Sequence, residues 1–258
     1  MLTDLEQKLS AIRRGELDER TVYASSFAER RQLVPAEGPV FHCPVCGTWH
    51  RRFLPFGLGG RRNAKCPACG SLERHRYLWR HLRDHHRVER RRLAVLHVAP
   101  EPCIAARLSG LANLRYLTMD LYNEGAALNR DLTDTGLPAA VFDMVICSHV
   151  LEHIERDDLA IAEMARLLRP GGRLVAMVPV DRKLTVTFED ASITDPLDRH
   201  IAFGHPYHVR VCGMDYPDRI RAAGFNVTVF DSRRMSPLIR HVERINKTLL
   251  FDGIKRRA

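Results

Sequence analysis

The chain has 258 residues, 45% of them hydrophobic and 28% charged, with a formal net charge of +9. That is the composition of a protein with an ordinary buried core, and no apolar run is long enough to span a bilayer as a helix. An odd number of cysteines, seven, argues against a disulfide scaffold, and the charged start MLTDLEQKLSAIRRGELDER has no apolar signal core, so a cytoplasmic protein is expected.

The positive charge is unevenly spread. Residues 1–92 hold 19 Lys and Arg against 10 Asp and Glu, whereas residues 93–258 balance at 21 against 21. A basic first third fits either a polyanion-binding surface or a solvated Arg-rich face. Residues 1–40 read as an N-terminal helical segment, closed by the breakers Pro35, Gly38 and Pro39.

Residues 41–92 read as a zinc ribbon followed by a basic helix. Cys43-Pro-Val-Cys46-Gly and Cys66-Pro-Ala-Cys69-Gly repeat one pattern. Each pair can give two thiolates to one ion, and four thiolates in tetrahedral array suit a structural Zn²⁺. The residues between them suit a hairpin with a Gly59-Gly60 turn. Ser71 is placed to cap a helix running to about His86, with Leu72, His75, Leu78, Trp79 and Leu82 on one face. His75, His81, His85 and His86 are read as packing histidines, because no second ligand quartet emerges.

Residues 93–258 alternate strand and helix. Leu93 to Ala99 is a continuous apolar run suited to a central parallel strand. A helix to about Leu108 and a strand Leu114 to Met119 follow, ending at Asp120. A carboxylate there can take hydrogen bonds from ribose hydroxyls, as in dinucleotide folds. Phe142-Asp143 opens a strand that ends in Ser148-His149-Val150-Leu151-Glu152-His153. A helix from Asp157 or Asp158 stops at Pro170-Gly171-Gly172, and Arg173 to Val180 is the next strand. The segment after it, residues 181–215, lacks clear periodicity and leaves the strand end where such sheets bind ligands. Met214 to Ala223 reads as a helix, Phe225 to Phe230 as a strand, Pro237 to Lys247 as a basic helix, and Thr248 to Ile254 as a last strand.

The words LHVAPE, FDMVICSHVLEH, LLRPGGRLVAMVPV and FGHPYHVRVCGMDY resemble class I S-adenosylmethionine (SAM) dependent methyltransferases of the type 11 kind. With CPxCGSLERHR, the chain resembles methyltransferases that carry an N-terminal zinc ribbon. The resemblance implies an α/β, Rossmann-like, seven-stranded sheet with a small four-cysteine zinc-ribbon module before it. It implies SAM bound by His97, Ala99, Pro100, Glu101, Asp120, Leu121, Asp131, Leu132, Ser148 and His149. His97 stands where the family has an acid, and Ala99, Glu101 and Cys103 stand where it has glycines. His149 and His153, just past the fourth strand, are candidate general bases. His205, Tyr207, His208 and Arg210 are candidates to hold the acceptor, His208 and Arg210 sharing a side of an extended chain. The expected activity is methyl transfer to oxygen or nitrogen of a polar or sugar-like small molecule. RNA methylation with the basic ribbon as docking surface, and a non-catalytic interaction protein on a degenerate fold, are the alternatives.

Overall fold

A computed structural model describes residues 41–57 and 59–257. The expected helices of residues 1–40 lie outside the described residues. The chain divides into two compact units, residues 1–77 with 236–246 and residues 78–235 with 247–258. The sequence places its boundary at residue 92 instead.

The first unit is built around the two cysteine turns. β1 (Phe41–His42) and β2 (Trp49–His50) flank the first turn as an antiparallel pair, and β3 (Leu54–Phe56) and β4 (Arg61–Lys65) form the hairpin leading to the second. The two turns share one bonding pattern. Gly47 N–H donates to Cys43 O at 2.8 Å and Gly70 N–H to Cys66 O at 2.9 Å. Both glycines are left-handed, at φ +74° and +73°, which the absence of a Cβ permits.

Helix α1 (Glu73–Asp84) follows and runs on into the second unit. Its cap differs from expectation. Leu72 N–H is met by Nδ1 of His75 at 3.2 Å, the reciprocal half of a capping box. Ser71 instead turns its hydroxyl to Cys43 Sγ at 3.1 Å. Arg76, fully buried, organises the first unit. Its guanidinium donates to the carbonyls of Ser71, Ala64, Glu243 and Arg244 and lies over the Phe53 ring at 4.7 Å. Burial lowers its pKa, and the four carbonyls, with the ring face, replace the water that a cation needs.

The second unit is an open α/β sheet. β5 (Leu93–Val98), buried at every position, is followed by α2 (Pro102–Ser109), β6 (Leu114–Met119) and β7 (Phe142–Ser148). A 3-10 turn at Leu151–His153 and α3 (Asp157–Leu167) lead to β8 (Leu168–Met177). β9 (Phe188–Glu189), α4 (Pro196–Phe203) and β10 (Arg210–Val211) form the next segment, and α5 (Tyr216–Ala222), β11 (Phe225–Asp231) and β12 (Leu249–Lys255) end the unit. The sheet order is β11-β12-β8-β7-β5-β6. β6, β5, β7 and β8 are parallel, while β12 is antiparallel to both its neighbours.

The Rossmann-like sheet thus has six strands where the resemblance implies seven. Between β6 and β7 the chain reads YNEGAALNRD, too polar to make an edge strand. What remains is one parallel bridge, Leu128 with Met119. The core lies between the sheet and α3, with Leu96, Val145, Ile161, Met164, Leu174 and Phe251 fully buried. Among the described residues no helix is long and apolar enough to cross a membrane.

Candidate active site and thiolate cluster

Chain order brings the expected residues to one rim. From β5 the chain crosses to β6 on one side and to β7 on the other. The crevice at the carboxyl ends of strands about such a reversal is where open α/β sheets bind ligands. Ala99 follows the end of β5, Asp120 the end of β6, and His149 the last residue of β7, Ser148. Ala99 and His149 both take the left-handed conformation, at φ +45° and +57°, on neighbouring strands whose residues Val98 and Cys147 are paired. Such geometry costs of order 1–3 kcal/mol per non-glycine residue and persists where the surroundings enforce it. Backbone bonds do so here: Ala99 N–H donates to Met119 O, and His149 N–H to Met177 O, each at 2.8 Å. Ala99, which stands where the resemblance implies a glycine, thus takes a conformation that glycine adopts freely.

One expectation for the rim is corrected. His97 cannot touch a cofactor, because it is fully buried and both ring nitrogens are engaged. Its Nε2–H donates to Glu101 at 3.0 Å, and its Nδ1 accepts from the Tyr116 hydroxyl at 2.8 Å. It fixes the Glu101 carboxylate in the Pro100–Pro102 loop that starts α2. Asp120 Oδ1 accepts from the N–H groups of Tyr122 and Asn123, which shapes the loop holding exposed Leu121. Its Oδ2 has no partner among the described residues. Asp131 is exposed and bonded to Thr133, while the Leu132 side chain belongs to the core.

The end of β7 holds a group that sequence reasoning missed. Glu152 is 1% exposed and its Oε1 meets His149 Nδ1 at 3.0 Å. Burial pushes the Glu152 carboxyl up, but the hydrogen bond and charge of His149 outweigh it and hold the carboxyl below its usual range. In the neutral ring, Nδ1–H donating to Glu152 leaves the His149 lone pair on Nε2. The i, i+3 spacing of an acid after a histidine was the available signal. Ser148 Oγ, His149 Nε2 and Glu152 Oε2 are all buried with no hydrogen-bond partner.

The segment 181–215 is more ordered than its sequence suggests. Asp195 accepts from Leu197 and Asp198 N–H to cap α4, and Gly204 ends it. Thr187 N–H and hydroxyl donate to Asp215 Oδ1, and Gly213 N–H donates to Thr187 Oγ1. A Cβ on Gly213 would come within 2.6 Å of the Val186 backbone, so only glycine allows this approach.

Arg210 is corrected from acceptor ligand to tie. It is 2% exposed and donates to the carbonyls of Leu151, Ile154 and Glu155 and to the Glu189 carboxylate. Val209 N–H adds a bond to Glu152 O. The segment is thereby fastened to the turn after β7. His153 joins His205 and His208 there, with Tyr207 half exposed beside them.

In the first unit the four expected thiols converge. The sulfurs of Cys43, Cys46, Cys66 and Cys69 lie within 4.8 Å of one another, Cys43 and Cys69 at 3.6 Å and Cys46 and Cys66 at 3.8 Å. A tetrahedral zinc with Zn–S of about 2.3 Å spaces its sulfurs about 3.8 Å apart, so the cluster fits that ion. Thiol hydrogen bonds, from Cys43 and then Cys66, pull Cys69 down to about 3.

The mixed six-stranded sheet and its reversal at β5 have the Rossmann-like form of class I SAM-dependent methyltransferases. Residues 96–176 match the family model of a methyltransferase domain. Among solved structures the chain is similar to the Burkholderia thailandensis 1,6-didemethyltoxoflavin-N1-methyltransferase with bound 1,6-didemethyltoxoflavin and S-adenosylhomocysteine, at 18% identity over 68% of this chain and 75% of that one, TM-score 0.47. It is also similar to SAM-dependent methyltransferases from Mesorhizobium loti (16% identity, 65% and 93% covered, TM-score 0.46) and Archaeoglobus fulgidus (15%, 69% and 99%, 0.46). No curated protein matches it in sequence.

Proposed function

We propose that the chain methylates an oxygen or nitrogen atom of a polar small molecule, with His149 as general base. The observation that carries this is the trio of partnerless buried polar atoms, Ser148 Oγ, His149 Nε2 and Glu152 Oε2, at the carboxyl end of β7. Buried polar atoms are rarely left without partners, and where they are, a ligand site is a ready explanation. SAM, when bound, supplies an electrophilic methyl group. In this reading Ala99, Pro100, Glu101, Asp120, Leu121, Asp131 and Leu132, with Ser148 and His149, form the rim that holds it. Asp120 accepts ribose hydroxyls through Oδ2. Glu152 keeps a lone pair on His149 Nε2, which takes the acceptor's proton as the methyl arrives. His205, Tyr207 and His208 border the acceptor's place, and the fastened segment 181–215 suits a small, enclosed acceptor.

The test is incubation with methyl-labelled SAM and a panel of hydroxylated and amino metabolites. Label transferred to a small molecule by the wild type, and not by His149→Ala, supports the reading. Transfer that His149→Ala performs equally well contradicts the base assignment.

The cysteine cluster we assign to one structural zinc, since four thiolate ligands leave no open position. Purified protein should contain about one zinc per chain, and well-folded metal-free protein would refute this.

An RNA acceptor is the second reading. Its support is the ribbon, where Trp49 is 61% exposed and Arg51 and Arg62 are exposed, and the basic sequence after it, residues 51–92, with 13 Lys and Arg against 3 Asp and Glu. A basic face with an aromatic ring can hold phosphates and stack a base. RNA binding that weakens steeply with salt, and labelling of RNA rather than small molecules, would favour it over the first.

A further inference from the structure

His153, His205 and His208 come from two separate stretches, the turn after β7 and the loop between α4 and β10. Each offers a ring nitrogen within 4.8 Å of the others'. The ring centroids of His153 and His208 are 4.8 Å apart and those of His205 and His208 4.6 Å. His153 is exposed and the other two are half-buried, so the group faces outward on one side and protein on the other.

We propose that these three histidines bind a divalent transition-metal ion of the imidazole-preferring kind, such as Zn²⁺, Co²⁺ or Ni²⁺, at a second site distinct from the four cysteines. Two features go beyond proximity. His153 Nδ1 donates to the backbone carbonyl of Tyr207 at 3.0 Å, which leaves the lone pair on Nε2. A backbone carbonyl on the far nitrogen is the usual orienting partner of a metal-bound imidazole. The buried carboxylate of Glu152 acts on His208 electrostatically and supplies negative charge near the ion.

His205 is the ligand that must adjust. Its Nδ1 faces Tyr207 N–H at 3.3 Å, a long contact that ligation at either ring nitrogen breaks. Metal–nitrogen bonds of about 2.0–2.1 Å bring tetrahedral ligands to about 3.3 Å from one another, so nitrogens now within 4.8 Å close by up to about 1.5 Å. Three protein nitrogens leave one position open, the arrangement of metals that bind a water or substrate oxygen. The site thus deepens the proposed function: it rests on that reading only in giving the open position to an oxygen of the methyl acceptor. The metal site itself stands on the histidines.

The experiment is calorimetric titration of the full chain, with its cysteine-bound metal retained, with Ni²⁺. Wild type should take up one equivalent that His153→Ala and His205→Ala bind at least tenfold more weakly, both variants keeping the wild-type content of cysteine-bound metal and the wild-type circular dichroism spectrum. No uptake by the wild type, or uptake that both variants keep undiminished, overturns the proposal. SAM titrated into the same wild-type sample separates the two readings: absence of SAM binding counts against methyl transfer and leaves the nickel result standing.

Discussion

Single side chains carry most of the site's chemistry. The His149–Glu152 pair makes a sharp expectation because the buried Glu152 carboxylate meets the His149 imidazole at 3.0 Å. If it holds the tautomer, Glu152→Gln should lower kcat by about 10²- to 10⁴-fold, close to the loss in His149→Ala, with little change in SAM affinity. The decisive reading is the double variant. Losses that do not add show that the two act as one unit, and additive losses would separate them. Arg76 tests the first unit in the same manner. Arg76→Met takes the guanidinium from the carbonyls of Ala64, Glu243 and Arg244 and from Ser71 O, which keeps Cys66 N–H, and at about 1–3 kcal/mol for an unsatisfied buried group the loss should be at least about 3 kcal/mol, seen as an early first transition in denaturant. A transition unchanged from the wild type would show that the guanidinium is not the unit's organiser.

Elements show how much of the molecule is legible in its sequence. β5, β6 and β7 are legible to within a residue or two because β5 and the middle of β7 are apolar runs that only a doubly covered sheet can bury, whereas β8 begins at Leu168, taking in the expected helix stop Pro170-Gly171-Gly172, and ends at Met177 rather than Val180. The cysteine turns are legible for a different reason: spacing and glycine fix their geometry almost completely. α4 escapes although Asp195, Pro196 and Gly204 are a cap, a first-turn proline and a helix stop in their proper places. Its eight residues are too few for periodicity to stand out, and the terminal signals have to be read alone. Arg210 misleads because extended spacing says which residues share a side and nothing of what lies opposite them. His97 misleads by its position in a motif, where the fold has turned it inward. The expected seventh strand comes from resemblance and not from the polar sequence after Asp120.

Two elements give measurable expectations. Arg210→Ala should free residues 181–215 from the turn after β7, raising hydrogen exchange at Val209 and through β9 and β10, and unchanged protection there would refute the tie. On α3, Glu163 accepts from Thr135 and from Arg166, and the Arg166 hydrogen bond, against burial, brings its pKa down to about 2. A carboxyl depressed in the folded state adds stability fully above its unfolded value of about 4.3 and loses it as pH falls toward 2. Glu163→Gln should therefore be about 1–2 kcal/mol less stable near pH 7, with the difference shrinking below pH 4. A difference that stays constant down to pH 3 would place the stabilisation elsewhere.

At the scale of the whole molecule, a thiolate-rich unit with basic surface and a methyltransferase sheet lie on one chain, with the second unit's last strand reached only after the chain returns through residues 236–246 of the first. Chelation of the proposed zinc should unfold the first unit, since a site closed by four ligands contributes its binding energy to folding. The central claim is that the rim of β5, β6 and β7 binds SAM, and calorimetric titration of the full chain with SAM tests it most directly. The account predicts saturable binding of one SAM per chain, weakened in Asp120→Ala by roughly 1–3 kcal/mol, or about 5- to 150-fold in Kd. No binding by the wild type, or equal affinity in Asp120→Ala, would contradict it.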